Sequence, residues 1–280
     1  MTITSDYLEI IQKISKKIIL PSIQDVFFPK INTKKEFTSK KTNFGAIRLT
    51  DGSIGVVYLG LSPEVKELGS NMDKSEFVNK NPIDLAQKFG SSNNFEKTLG
   101  LGAINAISQY IFKHSNFPFD ITTDSLGLLN ITPGDCPGMV GFFQPLISHL
   151  KKMGIKVIII EKKERLVKKT ENWEVTLDPS RLSECNKILI TSTTVLNESI
   201  DEILKFCSQA EKISMIGPTA GFLPDPLFKR GLNIVGGSFI SNSNLFMDLI
   251  QKQERWGPST KKYCIQQNSY PGYNSLLEKI

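Results

Sequence analysis

Four short apolar runs recur through the second half of the chain: Gly138-Met139-Val140, Val157-Ile158-Ile159-Ile160, Ile188-Leu189-Ile190 and Ile213-Ser214-Met215-Ile216. Each stops at small or polar residues. Runs of this length without alternation suit strands buried on both faces, and helical spacing lies between most of them. The pattern predicts a mostly parallel sheet with strands over 138–142, 155–160, 186–191, 212–216 and 232–235, and helices over 143–153, 179–184, 197–210 and 243–254. The stretch from Glu161 to Trp173 has no clear period.

The first part of the chain follows a different rhythm. Tyr7, Ile10, Ile14 and Ile18 share one helical face, and Pro21 ends that pattern. Phe44 to Leu49 and Ile54 to Leu59 flank Thr50-Asp51-Gly52-Ser53, a strong hairpin signal. Asn81 is placed to cap a helix with Pro82 at its first position, and Gly90 lies just beyond it. A further helix is expected from Asn94 through Leu101, Ile104, Ile107 and Ile111 to about Lys113. Ser115 to Pro133 lacks a sustained period and carries Pro118, Gly127 and Pro133. The domain boundary is expected there, giving an α+β module over 1–115 and an α/β domain over 116–280.

Composition narrows the setting. The chain has 280 residues, 40% hydrophobic and 22% charged, which is ordinary for a soluble protein. No apolar run approaches the roughly 18 residues of a membrane span, so no membrane partner is expected. Cys136, Cys185, Cys207 and Cys264 stand apart with no C-x-x-C pair, which argues against a disulfide framework and for a cytoplasmic, reducing setting. The net charge of +6 comes largely from Lys30 to Lys41 and Lys151 to Lys169. The second zone is interleaved with glutamates and the first offers only Phe37 for stacking, so a solvated surface is favoured over nucleic acid. Homo-oligomerisation stays open.

In open α/β sheets ligands sit beyond the carboxyl ends of the strands, where strand order reverses. The candidate site residues are therefore Gly141 and Phe142, Glu161, then Thr191, Ser192, Thr193 and Asn197, and finally Gly217, Pro218 and Thr219, each group following one strand. They are expected to converge at one rim. The first turn leads into a helix, a geometry that can face an anion. It lacks the full G-x-G-x-x-G fingerprint, however, with Phe142 and Phe143 where a pyrophosphate would approach. Glu161 stands where an acidic residue can accept ribose hydroxyls, and equally suits a surface carboxylate. The hydroxyls at 191–194 and the Asn197 amide could bind a carboxylate or phosphate, or simply start the next helix.

Metal chemistry is poorly supported. His114 and His149 are the only histidines, and neither has a carboxylate or thiol at ligand spacing, so a tightly held metal would need oxygen ligands or a bound small molecule. Cys136 after Asp135 is the one hint of a reactive thiol, and nothing nearby in sequence is placed to activate it. Asn105 lies on an apolar helix after Gly100 and Gly102, and a buried amide there needs a partner, either strand-end backbone or ligand.

Several of these motifs occur in a family order: Thr98 to Ala106, Val140-Gly141-Phe142-Phe143 with Pro145, Glu161, Ile190 to Ser199, Ile216 to Thr219, and Gly231 with Gly236-Gly237. In this the chain resembles the bacterial and archaeal family labelled "putative heavy-metal chelation". The resemblance implies an enolase-N-terminal-like module followed by a Rossmann-like domain, with a cleft between them lined by the strand ends and approached by Asn105. The resemblance itself implies little chemistry; the leading expectation is a family member whose cleft holds an anionic or nucleotide-like small molecule, in handling or synthesis of a metal chelator or metal-containing cofactor. An enzyme using S-adenosylmethionine, with Glu161 on the ribose and Gly141-Phe142 against the amino-acid portion, and a non-catalytic assembly component are the alternatives. Thr193 stands where the family commonly has glycine or serine, and the lysine-rich tail beyond Trp256 carries no family motif.

Overall fold

The computed structural model describes residues 2–31, 36, 43–122, 124 and 126–280. Helix α1 (Ile3–Ser15) begins at Thr2, whose hydroxyl accepts the Ser5 N–H, and buries Ile3, Tyr7, Ile10, Ile11 and Ile14. Strands β1 (Ile23–Phe27), β2 (Phe44–Leu49) and β3 (Ile54–Tyr58) form an antiparallel sheet in that order. The hairpin is as expected. Strand β1 is hidden in the sequence because Gln24 and Asp25 break its alternation, and its register shifts at that point.

Helix α2 (Pro63–Asn71) follows, then α3 (Pro82–Gln87), where the Asn81 side chain accepts the Ile83 N–H at 3.0 Å. Helix α4 (Asn94–His114) is the centre of the molecule. It is buried almost all round, from Thr98 to Gln109, as a helix between two packed layers must be. Its hairpin side is extremely close: a Cβ on Gly55 of β3 would fall 2.1 Å from the Gly102 carbonyl oxygen.

The remaining strands form one sheet. They are β4 (Asp120–Ile121), β5 (Pro137–Val140), β6 (Val157–Ile160), β7 (Lys168–Lys169), β8 (Trp173–Thr176), β9 (Lys187–Thr191), β10 (Lys212–Ile216), β11 (Ile234–Ile240) and β12 (Thr260–Gln266). Their spatial order is β4-β12-β11-β10-β9-β5-β6-β8-β7. From β8 across to β11 all pairings are parallel, while β7, β12 and β4 pair antiparallel at the two edges. Taken in chain sequence, the parallel strands run third, second, first, fourth, fifth, sixth, the Rossmann order. The reversal falls between β5 and β9.

The helices of this half are α5 (Gln144–Lys152), α6 (Thr193–Leu196), α7 (Ile200–Leu204), α8 (Asp225–Phe228), α9 (Ser243–Gln251) and α10 (Tyr273–Leu277). The helix expected over 197–210 is instead the α6–α7 pair, broken where Glu198 takes a left-handed φ of 58°. The strand expected over 232–235 starts at Ile234 and continues to Ile240. The lysine-rich tail contains a full strand, β12, in which exposed Lys261 and Lys262 precede buried Tyr263, Cys264 and Ile265. A run of charge followed by a run of apolar residues has neither period, so pattern alone does not reveal it. Among the described residues no helix is long and apolar enough to cross a membrane.

The two halves are tied by specific bonds as well as by α4. The Tyr7 hydroxyl donates to the Leu223 carbonyl at 3.1 Å, and Arg230 reaches Asp6 on α1 and Asp201 on α7, each at 2.5 Å. At the amino-terminal rim of the large sheet, Asp135 accepts from Lys187 at 2.8 Å, from the Thr132 N–H at 2.6 Å and from Asn186 at 2.9 Å. These donors, the lysine foremost, hold its carboxyl well below the usual range despite partial burial. A carboxyl depressed on folding stabilises fully above its unfolded pKa and loses that contribution as pH falls through the folded value. Wild type should therefore lose urea resistance below about pH 4 more steeply than Asp135→Asn. Acid limbs of equal slope would remove Asp135 as a contributor.

Candidate functional site

The carboxyl ends of β5, β6, β9 and β10 open into a cavity of about 700 Å³ at the reversal point of the sheet. Gly141, Phe142, Glu161, Thr191, Ser192, Thr193, Asn197, Gly217, Pro218 and Thr219 all line it. Asn105 does not. The opposite wall comes from the small antiparallel sheet and its flank, through Phe44, Tyr58, Gly60 and Leu61 at the hairpin ends. Nothing in the sequence marks these four, because their place depends on how the hairpin packs over α4.

The turn after β5 explains why glycine is needed there and what the loop can bind. Gly141 has φ of 98° and donates its N–H to the Ile160 carbonyl at 2.9 Å. The next amide, of Phe142, donates to Glu161 Oε1 at 3.1 Å, and Glu161 Oε2 accepts from the Lys162 and Lys163 amides at 2.9 and 3.4 Å. Glu161 is thus pinned by backbone at the tip of β6. A carboxylate offers about four lone-pair positions, so with three amides bound one acceptor position on Oε1 is left for a ligand.

The same geometry disfavours a pyrophosphate. The Phe142 amide is turned to Glu161, Pro145 in the first turn of α5 has no N–H, and the Leu146 and Ile147 amides bond the Phe143 carbonyl at 2.9 and 3.0 Å. Few donors are left of the amide cradle that anion binding at a helix start requires.

At β9, the Thr191 and Thr193 hydroxyls lie 3.0 Å apart, and Thr194 donates to the Thr191 carbonyl at 2.8 Å. Asn197 Oδ1 is taken by the Ser199 N–H and hydroxyl at 3.1 and 2.6 Å. Part of this polarity therefore shapes the chain, as helix starts and turns do. At β10, Gly217 has φ of 150°, and a Cβ there would fall 2.2 Å from Ser192 Oγ. Glycine is what lets these two strand ends meet.

Across the cleft, burial and the nearby Glu161 charge raise the Tyr58 hydroxyl above its ordinary range. It remains a neutral donor at physiological pH. Asn105 has no solvent exposure and donates to the Val56 carbonyl at 2.8 Å and the Thr219 carbonyl at 2.9 Å. It ties β3 to the loop after β10, so it shapes the cleft wall from behind. Gln109 and Ser108, which the sequence does not single out, hold the same loop: Gln109 donates to the Gly221 carbonyl at 2.8 Å, and Ser108 Oγ accepts the Leu223 N–H at 3.1 Å.

No cluster of three or more His, Cys, Asp or Glu side chains suited to a metal ion exists among the described residues. His114 instead lies 3.1 Å from Asp51 at the hairpin turn and stacks near Tyr110. Burial pushes the Cys185, Cys207 and Cys264 thiols up to about 12, which disfavours the thiolates that metals and electrophiles need.

Fold and cleft together define a mixed α/β protein with a ligand-sized cavity at the topological switch point of its large sheet. Residues 124–266 match the DUF364 family and residues 42–108 the DUF4213 family, both described as "Putative heavy-metal chelation", and the chain belongs to this family. The first match extends to Gln266, so the lysine-rich segment around β12 lies inside the family region, contrary to the sequence expectation. An uncharacterized protein of Methanocaldococcus jannaschii is 28% identical over 209 residues, covering 72% of this chain and 74% of the relative. Crystal structures of two DUF364 proteins of unknown function share the fold, one from Pyrococcus horikoshii (18% identity) and one from Desulfitobacterium hafniense (17% identity). Each has a TM-score of 0.66 and covers 94% of this chain and 99% of the other.

Proposed function

We propose that the cleft binds a nucleoside-type small molecule without a pyrophosphate, of the S-adenosylmethionine kind, between modules formed by residues 1–115 and 116–280. The observation that carries this reading is the state of Glu161: pinned by three backbone amides at the tip of the second parallel strand, with an acceptor position left toward the cavity. Ribose hydroxyls suit that acceptor. Phe44, Phe142, Phe143 and Leu196 supply apolar surface for a base, and the hydroxyls at 191–194 supply polar contacts. The family description points to metal metabolism, and the absence of a donor cluster among the described residues supports a role exercised on a small-molecule chelator or cofactor precursor.

The test is calorimetric titration and thermal shift with S-adenosylmethionine, adenosine, NAD and zinc ion separately. Saturation at about 100 times Kd should add about 2.7 kcal/mol of stability for a nucleoside that binds the native state. Glu161→Ala should weaken that binding about tenfold or more, the worth of a hydrogen bond to a charged group. Stabilisation by zinc alone, equal in wild type and Glu161→Ala and with no response to either nucleoside, would overturn the reading.

A further inference from the structure

A second cavity of about 620 Å³ opens on the far side of Gly217 and Pro218, which with Phe143 line both spaces. One wall is α5, where Pro145, Ser148, His149 and Lys152 follow the i, i+3, i+4, i+7 spacing of a single stripe. The other is the β11–β12 pair, where Ser238 stands opposite Lys262 and Gly236 opposite Cys264. A helix packed on a sheet buries an apolar stripe, and α5 does so with Leu146, Ile147 and Leu150 in the core beside Met139 and Ile159. Its polar stripe faces a polar and small-residue patch of sheet across open space. Packing gives no reason for that juxtaposition.

Lysines outnumber carboxylates in the lining. Lys152, Lys262 and His149 are exposed, and no ion pair or side-chain hydrogen bond engages them among the described residues. The one carboxylate of the lining, Asp124, is already committed to the Leu126 and Leu128 amides at 2.8 and 2.7 Å. Two ammonium groups, an imidazole and the Ser238 hydroxyl are therefore left to serve a ligand rich in acceptors. Lysines at the end of α5 would suit the helix dipole wherever they pointed, but Lys262 belongs to a strand and has no such reason to be there.

We infer that this cavity is a binding site for a small, multiply charged oxyanion, either a phosphate or a polycarboxylate group. The site adjoins the first cleft through the Gly217-Pro218 partition, and it stands independently of the nucleoside reading.

The experiment is calorimetric titration of the full chain with inorganic pyrophosphate and, in a second arm, citrate. Comparison of the two arms identifies which oxyanion class is preferred. The double variant Lys152→Ala/Lys262→Ala should weaken binding of the preferred anion about tenfold or more, and Lys152→Arg/Lys262→Arg should retain it. The first-cleft variant Lys162→Ala/Lys163→Ala should change it by no more than about twofold, as expected for separate sites. Both lysines of the proposed site are exposed, so an unchanged melting temperature will accompany the loss. Binding of neither anion to wild type, or loss of binding in the Lys162/Lys163 variant with retention in the Lys152/Lys262 variant, would overturn the proposal. Adenosine titrated into the Lys152/Lys262 variant reads the first cleft alone, so failure there leaves this result standing.

Discussion

Gly55→Ala is expected to lower stability by about 3 kcal/mol, at the upper end of what overpacking usually costs. The added methyl would lie 2.1 Å from the Gly102 carbonyl oxygen, 2.3 Å from the Ala106 nitrogen and 2.9 Å from the Asn105 carbonyl carbon. All three are backbone atoms of α4. A side chain in the way can change rotamer, whereas a buried helix backbone can yield only by moving the helix or the hairpin. Either movement also displaces Tyr58 and Gly60, which stand over the cleft. At roughly 2–4 °C per kcal/mol for a chain of this class, the melting temperature should fall by about 6–12 °C. Gly257→Ala is the control, since a methyl added there would have no atom within 4 Å and the backbone φ is unremarkable. Equal melting temperatures for the two variants would show that hairpin and helix are not packed this closely.

The parallel core is readable because a strand buried on both faces writes itself as a short unbroken apolar run, as Val157 to Ile160 and Ile188 to Ile190 do. The rim is readable for a related reason: where such a run stops, the chain must turn, and the residues at the stop are fixed at one edge of the sheet. What pattern reading cannot supply is anything set by packing between distant segments. Tyr58 and Leu61 become cleft residues only because α4 seats the hairpin over the sheet, and Ser108 and Gln109 become ties to the 221–223 loop only because that loop lies against α4. Strands next to the sheet edges are lost for another reason. Strands β8 and β12 are half-covered and carry charge, so neither a full apolar run nor a clean alternation survives in them. The same point bears on Asn105, whose partners can be narrowed from sequence to backbone or ligand but no further.

Asn105→Ala should therefore behave as the loss of a structural tie. The substitution leaves the Val56 and Thr219 carbonyls without their amide donor at a position with no solvent exposure. Leaving a buried acceptor unsatisfied costs about 1–3 kcal/mol, and the substitution orphans two acceptors while removing the already unpaired Oδ1, so the expected net loss is about 1–3 kcal/mol. Among the described residues the buried Asn105 Oδ1 has no hydrogen-bond partner, so the side chain stays in place through its two donated bonds. Asn105→Leu, which fills much of the space while removing both donors, should lose nearly as much stability as alanine and so exclude cavity formation as the main cause. Thr219 forms part of the cleft wall, and its freedom to shift in either variant should weaken nucleoside binding as a secondary effect. Urea denaturation and adenosine titration on the same samples separate the cases. A midpoint unchanged from wild type with adenosine binding abolished would instead make Asn105 a ligand contact, and the cavity would then have to extend behind Thr219 to the face of α4.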